Sequence, residues 1–267
     1  MVENSIKSVI EAESDELKKL TESLDYDVVN TLINKIQNNK GNIFVTGCGT
    51  SAMAAKKIVH TMQVVNQRIF YLNPSDAVHG GIGAIEKDDI VIMISKGGST
   101  NELCSFLENL KSKEAFIVYV GENGDSKIGK SADLFLKIKI EKEPDEYNML
   151  ATASTLAVIS VFDAIAIYIE RNSSFSQKVF LENHPSGDVG DRLSAIVKWY
   201  IEKGIDWVYL FMFMEEIMII VPSLLNSNIY DIQENVKIAK TVGDNYLHID
   251  VMDGNFVPMQ SFGGKIV

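Results

Sequence analysis

A chain of 267 residues, 46% of them hydrophobic, can bury one large core, or one domain and a piece of another. Its 25 Lys and Arg against 36 Asp and Glu leave a formal net charge of −11, which argues against a nucleic-acid surface built from clustered cations. Two cysteines, Cys48 and Cys104, are too few for a disulfide framework, and the charged opening MVENSIKSVIEAESDELKKL lacks signal-peptide character, so a cytoplasmic protein is expected.

Residues 3–39 place apolar side chains at helical spacing (Ile6, Val9, Ile10, Leu17, Leu20, Leu24, then Val28, Val29, Leu32, Ile33, Ile36) and predict two helices with a break at 25–27. β-rich runs follow at 42–46, 68–73, 89–95, 115–120 and 134–140, with helical segments between them at 51–64, 99–112 and 125–131. A long apolar helix is expected over 150–170. Near-continuous apolar strands alternating with helices predict a parallel sheet covered on both faces, a three-layer α/β/α domain. In such a sheet, ligands sit outside the carboxyl ends of the strands. Farther along, the apolar run at 207–221 is interrupted by Glu215 and Glu216, which argues against a membrane span. A second unit begins near Met218.

Two turns carry chemistry. In FVTGCGTSAMAAKKIV, residues 44–59, Gly47, Gly49 and Ala52 fit the G-x-G-x-x-G/A spacing of a dinucleotide-binding turn. That reading needs an acid at the end of the second strand to hold the ribose, and here the strand ends in Asn73, Pro74 and Ser75, with Asp76 three residues late. The strand at 89–95 opens into ISKGGSTNEL, a second turn rich in glycine and hydroxyls. Gly49, Thr50 and Ser51 from the first turn, with Ser95, Ser99 and Thr100 from the second, can converge on one phosphomonoester, because helix N-termini and hydroxyls suit a dianion. The plainer reading makes one of these hydroxyls a helix N-cap. Cys48 reads as a small packed residue and not a nucleophile, since no His lies near it in sequence.

Taken in order, VTGCGTSAMAAKK, NPSDAVHGGIG, DIVIMISKGGSTNE, KEPDEYNMLATASTLAVISVFDA and ENHPSGDVGDRL resemble the sugar isomerase (SIS) domains of the arabinose-5-phosphate isomerase type, over roughly residues 5–194. The resemblance implies a five-stranded parallel sheet, an oligomer (a homodimer or homotetramer), and interconversion of ribulose 5-phosphate and arabinose 5-phosphate. It implies no metal or redox cofactor. By position it makes Ser51, Ser95 and Thr100 phosphate contacts, matches Glu102 and Glu143 to acidic residues of the family's active site, His184 to the histidine of its HP-x-G motif, His79 to that of its HG segment, and Ser154 and Thr155 to its Ser-Thr pair at the head of the long helix. The residue types suit the chemistry: one group moves a proton between neighbouring carbons through an enediol, and others move a proton between the two oxygens. Glu102 or Glu143 is expected as the base and His184 as acid/base or ring-opener. The plainer reading of Glu102 is a first-turn carboxylate favoured by the helix dipole, and that of Glu143 a surface charge. The chain departs from those isomerases in having Thr50 where they carry Lys, Ala52 for the last Gly, and Lys96-Gly97 for a polar residue and a serine. Paired CBS regulatory domains do not follow within these 267 residues. Other readings stay open: an isomerase of another phosphosugar such as 3-hexulose 6-phosphate, or a non-catalytic phosphosugar sensor. The acidic first 40 residues disfavour a DNA-reading version of the latter.

After a connecting segment at 195–217, residues 218–267 change character. PSLLNSNIYDIQENVKIAKTVGDNYLHIDVMDGNFVPMQSFG resembles the amino-terminal start of a ribulose-phosphate 3-epimerase. That family uses the residues matching His248 and Asp250 as metal ligands, and the one matching Ser223 lies near substrate. A (β/α)8 barrel needs about 250 residues, so this is read as an incomplete barrel fragment without epimerase activity, and no working metal site is expected at His248 and Asp250.

Overall fold

Aliphatic and β-branched residues crowd five short segments, and each forms a strand: Ile43–Gly47 (β1), Ile69–Tyr71 (β2), Ile90–Ile94 (β3), Phe116–Gly121 (β4) and Leu134–Lys137 (β5). The computed structural model describes residues 2–184 and Ser186. The chain divides into two units, residues 1–180 and 181–267, and the first contains this sheet. All pairings are parallel, in the order β2-β1-β3-β4-β5.

Alternation along the strands feeds two separate cores. Ile90, Ile92 and Ile94 of β3 join Ile43, Val45, Val118 and Val120 on one face, while Val91 and Met93 join Phe44, Ile117 and Tyr119 on the other. The first face is covered by Val2–Ser23 (α1), Tyr26–Gln37 (α2), Thr50–Val64 (α3) and Ala153–Arg171 (α7). Pro74–Val78 (α4), Asn101–Cys104 (α5) and Leu107–Ser112 (α6) cover the second. Helix Gln177–Asn183 (α8) follows α7. This is the expected three-layer α/β/α sandwich.

By length and composition α7 could cross a bilayer, yet Ala157, Val161, Phe162, Ile165, Ala166 and Ile169 place its apolar stripe in the core. Lys57 of α3 bonds Asp163 of α7, tying the two helices that pack side by side. The break predicted at 25–27 is a capped helix start: Asp25 Oδ1 accepts the N–H groups of Asp27 and Val28, each at 3.1 Å.

Two local expectations are corrected. The single helix at 99–112 is two, because Phe106 (φ −116°, ψ 10°) leaves helical geometry where its ring enters the core. Residues 125–131 form a turn with only a 3-10 segment, Gly129–Ser131, pinned by Ser126 Oγ accepting Gly129 N–H at 3.1 Å. Ile6, Val9 and Ile10 stay exposed, since only the second half of α1, through Leu17 and Leu20, joins the core. From residue 187 onward the expected connecting segment and barrel fragment, with Ser223, His248 and Asp250, lie outside the described residues.

Candidate functional site

Strand order decides where the two glycine-rich turns go. β1 and β3 are neighbours with Gly47 paired to Ile94, so the turn at 48–51 and the turn at 95–100 start level with one another at the carboxyl edge. From there the chain departs to opposite faces, into α3 on one side and α5 on the other. A crevice at such a switch point is the usual ligand position in an open α/β sheet.

The first turn offers backbone. Gly49 stands at the N-cap of α3 with φ +59°, a conformation costly for other residues, and makes no side-chain cap. A Cβ there would meet nothing within 4 Å, so the first turn of this 15-residue helix opens onto clear space beside Thr50 and Ser51.

The second turn is rigid. Buried Ser95 accepts the Gly98 N–H at 3.1 Å and shares a hydrogen bond with Thr100 Oγ1 at 2.9 Å. Thr100 is therefore at the N-cap of α5 without capping it, because its hydroxyl is spent on Ser95. Gly98 has φ +68°, and a Cβ would stand 2.0 Å from Ser126 Oγ and 2.6 Å from Tyr119 Oη. Behind it, the Tyr119 hydroxyl donates to the Lys96 carbonyl at 3.3 Å, and Glu122 N–H reaches the same oxygen at 2.9 Å. Ser99 is exposed at the rim.

Two carboxylates have opposite surroundings. Glu102 is exposed in the first turn of α5. Burial, then the Glu102 charge, pushes the Cys48 thiol up. Glu143 is fully buried and saturated. It accepts from Lys96 Nζ at 3.0 Å, from Thr152 N–H at 3.1 Å, from Ser154 N–H at 3.3 Å, and from the Ser154 hydroxyl. Burial alone would raise its carboxyl, but the bonds from Ser154, Lys96 and Thr152 outweigh that and hold it below the ordinary range. Glu143 thus caps α7, whose own N-cap residue Thr152 makes no side-chain cap.

The structure gathers Gly49, Thr50, Ser51, Ser95, Ser99, Thr100 and Glu102 on the two turns, and it joins Glu143 and Ser154 to the second turn through Lys96. Thr155, next to Ser154, spends its hydroxyl on the Ala151 carbonyl at 3.1 Å. His79 ends α4 and is exposed, linked to the turns by no hydrogen bond among the described residues. His184 follows α8 in the second unit. Sequence reasoning missed the supports: Tyr119 and Ser126 under Gly98, Asn148 accepting Glu143 N–H at 2.6 Å, and Glu16 of α1 accepting Glu141 N–H at 2.6 Å.

The SIS domain family matches residues 35–168, and the ribulose-phosphate 3 epimerase family matches residues 219–267. Arabinose 5-phosphate isomerase KpsF of Escherichia coli is 31% identical over 206 residues, covering 77% of this chain and 65% of the relative. A Listeria monocytogenes crystal structure, provisionally assigned as a sugar-phosphate isomerase, is 40% identical with a TM-score of 0.68 over 69% of this chain and 97% of that one. A protein of E. coli CFT073, solved in complex with arabinose 5-phosphate, is 27% identical with a TM-score of 0.67 over the same 69% of this chain and 97% of its own. The chain spans less than two thirds of the length of the curated relatives it matches. With half its length under one domain family, and the sheet order and switch-point turns in place, the chain belongs to the SIS domain family.

Proposed function

We propose that this protein is an aldose–ketose isomerase of a phosphorylated sugar, converting ribulose 5-phosphate and arabinose 5-phosphate into one another. The observation that carries the reading is the pair of level turns at the switch point, with Glu102 in the helix that leaves the second. The phosphate sits at the amino end of α3 and on Ser51, Ser99 and the Ser95–Thr100 pair, whose shared hydrogen bond leaves one hydroxyl proton to donate, where N–H groups, hydroxyls and the helix dipole favour a dianion. The names of the E. coli relatives support arabinose 5-phosphate as the aldose.

In the ketose-to-aldose direction, a base takes a proton from C1 and the hydroxyl proton moves from O1 to O2 by way of a cis-enediol. The proton held by the base then returns to C2, which balances the reaction without a change of redox state. We assign the base to Glu102, because Glu143 already accepts four donors and has no lone pair to spare. His184 is assigned the proton transfer between oxygens, or the opening of a furanose, and His79 a contact at the rim. The organisation proposed is a SIS domain over 1–194, a connecting segment over 195–217 and an epimerase-like fragment over 218–267 without activity of its own. A homodimer or homotetramer is the proposed assembly.

The test is NMR of purified protein incubated with ribulose 5-phosphate. Arabinose 5-phosphate should form, and Glu102→Gln and His184→Ala should each lower kcat by roughly 10²- to 10⁴-fold while ribulose 5-phosphate still binds. Xylulose 5-phosphate as the product would instead mean that the fragment after residue 218 is active. Tight binding of ribulose 5-phosphate with no turnover would make the chain a sensor.

A further inference from the structure

The two turns present hydroxyls and N–H groups to a dianion, but across residues 47–51 and 95–100 Lys96 is the sole basic residue. Its backbone does not move freely, since the carbonyl takes Tyr119 Oη and Glu122 N–H from behind. Its side chain is fixed at the far end by Glu143, and Glu122 stands 4.0 Å from Nζ, beyond hydrogen-bond reach. An ammonium has three donors. One goes to Glu143, and the ion pair with Glu122 at 4.0 Å takes none, so two have no hydrogen-bond partner among the described residues, on a side chain that is 46% exposed.

Glu143 does not depend on Lys96 for its own satisfaction: two N–H groups and a hydroxyl at the positive end of α7 already hold the carboxylate. The pair is therefore asymmetric. The carboxylate is anchored in the fold, and the cation is anchored on the carboxylate with donors left over. Resting on the isomerase reading above, we infer that Lys96 is the cation contacting the phosphosugar, and that Glu143 is a positioning residue that holds Lys96 in place. A flexible surface lysine loses rotamer freedom on closing over a ligand. Lys96 has already lost it, so its charge-assisted bond to the sugar phosphate is formed with little further ordering.

The experiment combines titration calorimetry with ribulose 5-phosphate and with inorganic phosphate, separate measurement of kcat and KM, and thermal melting, on wild type, Lys96→Gln, Lys96→Arg, Glu143→Gln and the double Gln variant. Loss of one charge-assisted bond should weaken ribulose 5-phosphate binding roughly ten- to hundredfold in Lys96→Gln, with KM rising and kcat falling less. Lys96→Arg should recover part of the loss. The double variant should bind like Lys96→Gln alone, because Glu143 acts through Lys96. Wild-type affinity in a folded Lys96→Gln overturns the inference, as does a Glu143→Gln variant whose only defect is in kcat. Weaker binding in Lys96→Gln of a wild type that shows no turnover keeps the inference and overturns the isomerase reading. A wild type that binds neither probe overturns both.

Discussion

Glu143 combines full burial with a full complement of donors, and its ionisation carries a signature in pH. Its native carboxyl lies below the ordinary value of about 4.3, so the unfolded chain takes up a proton here before the native one does. The stability it contributes is complete above the unfolded value and is lost as pH falls through the native value. Urea melts at pH 6 and near pH 4 should show a fall in stability that Glu143→Gln reduces, and equal falls would refute this account. Cys48 offers a second residue-scale test. Since the Glu102 charge helps keep that thiol protonated, Glu102→Gln should speed alkylation of Cys48 by iodoacetamide at neutral pH, with Cys104 buried and silent. An unchanged rate would mean that the Glu102 charge does not act on the thiol.

Among the elements, α2 and α4 take side-chain N-caps from Asp25 and Asn73. Removing the Asp25 cap by Asp25→Ala should cost about 1 kcal/mol, read as a lowered melting temperature. Gly98→Ala combines a left-handed φ with a clash on Ser126, and should destabilise by about 2 kcal/mol or more while weakening the phosphosugar binding proposed above. A folded variant that binds normally would show that the second turn tolerates a side chain. At this scale the sequence is legible where period and punctuation agree, as in α3, bounded by Gly49 and running Ala52, Ala55, Ile58, Val59 and Met62 into the core. It is opaque where one buried contact decides. Phe106 suits a continuous helix by spacing and still breaks one, and Ser126 turns a helical-looking stretch into a loop because its hydroxyl packs against Gly98. The short helix α4 went unpredicted, its five residues being too few for a period to show.

For the molecule as a whole, composition and strand runs foretold the sandwich, while the site depended on strand order. Ser95 and Thr100 could be named from their turn, but that β1 lies beside β3 with Gly47 level with Ile94 is a property of crossovers that no local pattern encodes. Glu143 was visible as an acid in a charged stretch, where Glu141, Lys142 and Asp145 hid its burial. Its companion Lys96 lies 47 residues earlier, and the pair exists only once β5 has joined the sheet and α7 has begun.

That separation orders events during synthesis. The first turn leaves the ribosome attached to β1, but its partner turn cannot lie beside it until β3 has emerged and paired. The cation of the second turn is not fixed until residues 143–154 follow, so a nascent chain stopped at β4 holds both turns and lacks the clamp. Contacts this far apart in sequence form only after the loop-closure entropy of the chain between them is met, so the crevice is completed after β3 and residues 143–154 are in place. A ligand of the crevice present at that moment would bind only the finished unit and pull its equilibrium toward the native state by mass action.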